Sequence, residues 1–191
     1  MYVYRSLPGL GFIRLLRLRP ASRGDADIQC QLFDYQLLQN GFEGTDLYEA
    51  LSYVWGSTSN RRSIFIDQCE VKVTSNLHAV LLHLRHPFFE RVLWVDALCI
   101  NQNNVDEKEK QVGAMAMTYA KAACVIVWLG EATEGSNQAM EDIRLASAEH
   151  LSGSFLDEIR REAIVTVLQI PWFECMWVCN QSKLDVSFGY R

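Results

Sequence analysis

Alternation between apolar and polar positions dominates the first half of the chain. Around residues 12–18, apolar side chains alternate with arginines, a pattern that predicts a strand with one solvated face. Asp67-Gln68 separates two short apolar runs and predicts the turn of a hairpin. In all, five strands are predicted in this half, at residues 12–18, 28–33, 48–55, 64–66 and 71–73.

Helical spacing replaces this alternation after the hairpin. Thr74 or Ser75 can cap a helix with one apolar stripe, and Pro87 ends that helix. The stripe consists of Leu77, Val80, Leu81 and Leu84. Further helices are predicted at about residues 106–119, 137–150 and 155–169.

Two runs in the middle of the chain are almost entirely apolar. Residues 92–100 and 124–129 suit strands that are buried on both faces, as in a parallel sheet. With the helix between them, they predict a strand–helix–strand crossover of about 35 residues. The pattern as a whole predicts an α/β domain with a mixed, partly parallel sheet flanked by helices.

The composition is that of a folded globular chain. Of its 191 residues, 49% are hydrophobic and 21% are charged, which fits one domain with a real core. The net charge of -5 argues against binding to nucleic acid or to an anionic membrane. No uncharged run approaches the roughly 20 residues that a membrane span needs. Four of the six cysteines lie in apolar runs without a Cys-x-x-Cys motif, which predicts reduced thiols and a cytoplasmic location.

Three blocks of sequence carry a resemblance to a known family. They are Tyr-Glu-Ala-Leu-Ser-Tyr-Val-Trp-Gly at 48–56, Leu-Trp-Val-Asp-Ala-Leu-Cys-Ile-Asn-Gln at 93–102 and Val-Trp-Leu-Gly at 127–130. The helix between the second and third blocks adds Gln111, Val112, Met115, Tyr119 and Ala122. Together these features resemble the fungal heterokaryon incompatibility (HET) domain over residues 12–178.

The resemblance implies a role in fungal non-self recognition that ends in programmed cell death. The chain would act as a signalling or effector module through protein partners or self-association, without a cofactor and without contacts to nucleic acid or membrane. HET domains also resemble Toll/interleukin-1 receptor (TIR) domains remotely, which implies a flavodoxin-like fold. Two alternatives stay open: a TIR-like NAD hydrolase, and a truncated, non-functional remnant.

The resemblance to the family is lost after Val178. Residues 179–183 read Cys-Asn-Gln-Ser-Lys, where the family pattern continues into a Gln-Glu helix. Residues 179–191 are therefore interpreted as an atypical tail that arose by truncation or mis-splicing.

Asp96 is the first candidate site residue, because it interrupts an apolar run near the end of a predicted parallel strand. Ligands bind at such ends in open α/β sheets, but the carboxylate could equally cap the following loop. The amides of Asn101 and Gln102 suit either ligand recognition or bracing of that loop. Glu107 and Gln111 lie one helical turn apart and form either a polar wall beside Asp96 or a solvated helix surface.

The aromatic block at 48–56 supplies the candidate ligand-binding residues Ser52, Tyr53 and Trp55. The two rings could stack on a flat ligand such as adenine or nicotinamide, although aromatic residues at such positions more often belong to the core. Ser52 could hydrogen-bond the same ligand. No metal site is predicted, because the histidines at 78, 83 and 86 have a spacing that favours surface residues.

The TIR analogy adds Glu141 as a candidate catalytic residue, with NAD as its substrate. Some TIR domains hydrolyse NAD with a glutamate that follows a central strand. Glu131, Glu134 and Glu141 follow the strand at 124–129, and Glu141 has the most comparable offset from it. Such a carboxylate could stabilise the oxocarbenium-like state as nicotinamide leaves. Asp96 would share this site, and the inference rests on fold analogy alone.

Overall fold

The computed structural model describes residues 2–21, 27–37, 47–131, 138–141, 144, 161, 165, 167–174 and 186–187. The chain divides into two compact units, Met1–Trp128 with Gln181–Arg191, and Leu129–Asn180. The described residues of the first unit form a mixed sheet and three helices, which confirms the predicted α/β class. No helix within the described ranges is both long enough and apolar enough to cross a membrane.

The described part of the first unit contains eight strands in one sheet, in the order β5-β4-β2-β1-β6-β3-β7-β8. Their bounds are β1 Phe12–Leu18, β2 Gln29–Gln36, β3 Glu49–Tyr53, β4 Arg61–Ile66, β5 Cys69–Thr74, β6 Arg91–Trp94, β7 Cys124–Trp128 and β8 Val186–Ser187. The β4–β5 hairpin turns at Asp67 and Gln68, which both have positive φ, so the predicted turn is confirmed. The first three strands and β7 also fall where the apolar pattern predicts them.

Four neighbouring strands of the sheet, β6, β3, β7 and β8, run parallel to one another. When the four strands are numbered by their order in the chain, their order across the sheet is 2-1-3-4. The first four strands of flavodoxin-like sheets have the same order. Two other strands, β1 and β5, run antiparallel to their neighbours. Because those antiparallel strands are not part of the flavodoxin pattern, the remote likeness to that fold stays a prediction.

The helices of the first unit begin at side-chain caps. Helix α1, Ser75–Leu84, starts at Thr74, whose hydroxyl accepts a hydrogen bond from the Leu77 N–H, and the four stripe residues are buried. Helix α3, Val105–Ala120, starts at Asn104 in the same way, through the Glu107 N–H. Both predicted helices are confirmed, although α1 ends before Pro87 is reached.

The prediction of one continuous strand over residues 92–100 is wrong. Strand β6 ends at Trp94, and Asp96–Cys99 forms a helical turn, α2. The carbonyl of Val95 accepts hydrogen bonds from Leu98 N (3.0 Å) and Cys99 N (2.7 Å). Cys99 and its neighbours remain buried, so the apolar run reports burial and not strand conformation.

The prediction that β1 has one solvated face is also wrong. Arg14 is only 2% exposed, and its strand lies between β2 and β6. Its guanidinium pairs with Glu107 and donates to the carbonyl oxygens of Cys99 and Arg5. Burial is tolerated because both terminal guanidinium nitrogens donate hydrogen bonds within the protein and the charge is paired with a carboxylate.

The second unit is described only in part. Residues 138–141, 144, 161, 165 and 167–168 are helical, and the rest of the two helices predicted there lies outside the described residues. Ala139 and Val167 are buried, with Met140 and Ile170 packed against them. A short 3-10 helix covers Pro171–Glu174. In the proposed tail at 179–191, the described residues are those of β8.

Candidate functional site

Three parallel strands end at the same edge of the sheet. β3 lies between β6 and β7 and is parallel to both, so Tyr53, Trp94 and Trp128, the last residues of these strands, lie at that edge. The HET-like blocks that are far apart in the sequence therefore meet in space. Crevices outside the carboxyl ends of parallel strands are the usual ligand sites of open α/β sheets.

Asp96 follows the end of β6 and holds the indole of Trp55. One carboxylate oxygen accepts the Trp55 Nε1–H at 2.9 Å, and the other accepts the backbone N–H of Ala97 at 2.7 Å. Burial raises the pKa of the Asp96 carboxyl, and the two hydrogen bonds offset only part of that rise. Since both oxygens have donors, Asp96 acts in this structure to position Trp55.

Asn76 on α1 connects the end of β7 to the end of β3 through two hydrogen bonds. Its side-chain oxygen accepts the Trp128 Nε1–H at 2.9 Å, and its amide nitrogen donates to the carbonyl of Val54. Gly56 lies beside it with φ +73°, a conformation that L side chains adopt rarely. Sequence reasoning missed Asn76, although a lone amide directly before the first apolar position of α1 was its visible signal.

A cavity of about 570 Å³, here called the aromatic cavity, opens beside Trp55. Tyr53, Trp55 and Gln102, three of the residues singled out in the sequence, line it together with Tyr2 and Tyr4 from the N-terminal segment. Burial raises the pKa of the Tyr53 hydroxyl well above its ordinary value, and the charge of Asp96 adds to that effect. The two N-terminal tyrosines carried no motif, so the sequence did not identify them.

Asn101 and Gln102 brace the loop after α2. The Gln102 side chain donates to the carbonyl oxygen of Asp96 at 3.0 Å, and the Asn101 side chain accepts the Asn103 N–H at 3.2 Å. Bracing was one of the two roles considered for these amides. Gln102 also lines the cavity, so the second role considered for it, contact with a ligand, is compatible with its position.

Glu107 and Gln111 line a different cavity, of about 450 Å³, which shares no lining residue with the first. Glu107 pairs with Arg14 and also accepts the Asn101 N–H at 3.0 Å. Gln111 donates to the Phe12 carbonyl at 2.9 Å. Both side chains therefore anchor β1 and the loop before α3, and the structure does not bring them into the wall of the aromatic cavity.

Two candidate residues, Ser52 and Glu141, remain. Ser52 is half-buried on β3, in register with Val127. Glu141 belongs to the second unit, where it is exposed and its carboxylate accepts hydrogen bonds from Arg144 at 2.6 and 2.8 Å. Those hydrogen bonds lower the pKa of Glu141.

Comparison with known proteins gives one family and one relative. A family model described as "Heterokaryon incompatibility protein (HET)" matches residues 48–180. The chain is 34% identical over 160 residues to "Heterokaryon incompatibility protein 6, OR allele" of Neurospora crassa. That match covers 77% of this chain and 22% of the relative, so the chain spans about a fifth of the relative's length. No solved structure matches the chain.

Proposed function

The chain belongs to the heterokaryon incompatibility (HET) family, and from that premise we propose that it is an effector module of fungal non-self recognition whose action ends in programmed cell death. The printed name of the Neurospora crassa relative supports the incompatibility role. Protein partners or self-association would trigger the module. The proposal is made for this chain by itself, although the relative is much longer.

The observation that carries the proposal is the convergence of the family-like blocks on one partly exposed edge. Trp55 is 42% exposed, yet its indole is fixed by a carboxylate from the next strand end. A tryptophan that served only the core would be buried, whereas tryptophan is enriched among the few residues that carry most of the binding energy of protein interfaces. The proposed effector surface is therefore the edge formed by Trp55, Asp96 and their neighbours after β3 and β6.

Induced expression in a fungal host tests the proposal. The chain is placed under an inducible promoter, and uptake of a vital dye by hyphae is scored against an empty vector. We expect dye uptake to follow induction. Absence of dye uptake in hyphae that accumulate the protein contradicts the proposal, and a cooperative thermal melt of the purified chain would exclude the non-functional remnant as the explanation.

NAD hydrolysis is the second candidate, and the aromatic cavity beside Asp96 favours it. Its test is nicotinamide release by concentrated purified chain, wild type beside Asp96→Ala and Glu141→Ala. Glu109→Ala is the matched control, because Glu109 is a similarly exposed glutamate on α3. Turnover that is lost in the first two variants and kept in the control would establish the enzyme. No turnover by folded wild type would leave the non-enzymatic effector as the function.

A further inference from the structure

The cavity beside Trp55 combines an aromatic wall with one unbalanced positive charge. We propose that it binds a small molecule that consists of a planar aromatic ring and one anionic group. This site does not depend on the effector role, because its binding is measured on the purified chain without any host. Its volume of about 570 Å³ lies in the range of roughly 300–1,000 Å³ that is common for small-molecule pockets.

Four aromatic side chains form the first half of the site: Tyr2, Tyr4, Tyr53 and Trp55. The rings of Tyr2 and Tyr4 meet edge to face at 5.1 Å, and the Tyr4 hydroxyl donates to the Leu98 carbonyl at 2.9 Å. Asp96 holds the Trp55 indole in place. Tyr4 and Trp55 are therefore already fixed, so a flat ring that packs against them costs little ordering entropy.

Arg61 supplies the charge in the second half of the site. Lys72 and Glu70 also line the cavity, but their Nζ–Oε1 distance of 2.8 Å shows that they pair with each other. Arg61 is exposed, and no described residue forms a salt bridge with it. The lining is therefore left with a net positive charge at Arg61, which favours an anionic group on the ligand.

The strand register adds to the positive potential around Arg61. In the β4–β5 pair, Arg61 lies directly opposite Thr74, the N-cap of α1, and Thr74 itself lines the cavity. The first turn of α1 contains no acidic residue, so nothing in it neutralises the positive end of the helix dipole.

A cationic ligand is the main competing occupant, since aromatic walls also bind quaternary ammonium groups. Two observations argue against it. Arg61 would repel a cation, and the guanidinium of Arg14 already lies 5.1 Å from the centroid of the Tyr4 ring. The site therefore fits an aromatic anion better than a quaternary ammonium ligand.

Calorimetric titration of the full chain with matched probes tests the proposal. The probes are adenosine 5′-monophosphate beside adenosine, indole-3-acetate beside indole-3-acetamide, and choline as the cation. Arg61→Gln is compared with Arg62→Gln, because Arg62 is the exposed neighbour on the same strand and does not line the cavity. Trp55→Ala removes the largest aromatic wall.

We expect at least one anionic probe to bind more tightly than its neutral counterpart. Arg61→Gln should weaken that anion roughly tenfold to a hundredfold, the effect of one charged hydrogen bond, and should leave the neutral counterpart unchanged. Arg62→Gln should change neither, and Trp55→Ala should weaken both. The proposal is overturned if neither anionic probe binds at millimolar concentration, if choline binds instead, or if both arginine variants weaken the anion equally. None of these outcomes depends on whether the chain kills fungal cells.

Discussion

Removal of the Arg14 guanidinium should destabilise the first unit severely. Arg14 is 2% exposed, and its partner Glu107 has only 12% of its side chain exposed. Arg14→Met leaves that carboxylate without its cation and takes a donor from the Cys99 carbonyl. Loss of one partner of a buried ion pair costs about 3–5 kcal/mol. For a chain of this size, that corresponds to a fall in Tm of roughly 6–20 °C.

Urea unfolding at neutral pH, followed by tryptophan fluorescence, measures this cost. The matched control is Arg17→Met on the same strand, because Arg17 pairs with Glu90 and their side chains are 39% and 48% exposed. Such surface pairs contribute about 1 kcal/mol or less. The double variant Arg14→Met/Glu107→Met should recover part of the loss, since it leaves no unpaired charge. The reasoning is refuted if Arg14→Met is no more destabilising than Arg17→Met.

The ion pair between Arg14 and Glu107 also makes the stability of the fold depend on pH. Burial raises the pKa of Glu107, but the hydrogen bonds from Arg14 and from the Asn101 N–H outweigh burial and leave the pKa below its ordinary value of 4.5. The contribution of Glu107 to stability is therefore complete above that ordinary value and is lost as the pH falls through the lower folded-state pKa. Glu107→Gln should flatten the acid limb of the stability curve, and an unchanged acid limb would contradict the assignment.

Three further predictions concern the glycines, the cap of α1 and the buried thiols. Gly56→Ala should destabilise the chain by about 1 kcal/mol because φ is +73° there, whereas Gly113→Ala, in open space on α3, should stabilise it by about 0.5–1 kcal/mol; urea midpoints that move in the same direction would contradict the predicted contrast between the two sites. Thr74→Ala removes the cap of α1 and should cost about 1 kcal/mol in the same assay, and Thr74→Ser should restore most of it. Burial raises the pKa of Cys30 and Cys99 to about 12, so both thiols should resist alkylation at pH 8 until the chain unfolds; rapid labelling of either in the native protein would contradict the burial.

Local patterns of the sequence predicted the elements that depend on neighbouring residues. The hairpin at Asp67-Gln68 and the cap at Thr74 are set by a few adjacent side chains, and both are confirmed. The run at residues 92–100 misled because apolarity reports burial, and Val95 accepts the turn hydrogen bonds through its backbone carbonyl. Nothing in that apolar run signals the turn except Asp96, whose carboxylate caps Ala97.

Sequence patterns did not predict which side chains from distant parts of the chain contact each other. The expectation that Asp96 lies at the carboxyl end of a parallel strand follows from a general rule of α/β sheets, and the structure places it there. Its partner Trp55 is 41 residues away, and Glu107 is 93 residues from Arg14. Which strands become neighbours decides such pairs, and the strand order of this sheet is not encoded in any single segment.

Vital-dye uptake in induced fungal hyphae tests the central claim most directly, when wild type, Trp55→Ala and Phe88→Ala are compared at equal protein levels. Phe88 is a matched control because it is an exposed aromatic residue outside the aromatic cavity. The account predicts dye uptake with wild type and with Phe88→Ala, and its loss with Trp55→Ala. Equal killing by wild type and Trp55→Ala, or no killing by wild type that accumulates in the hyphae, would contradict the account.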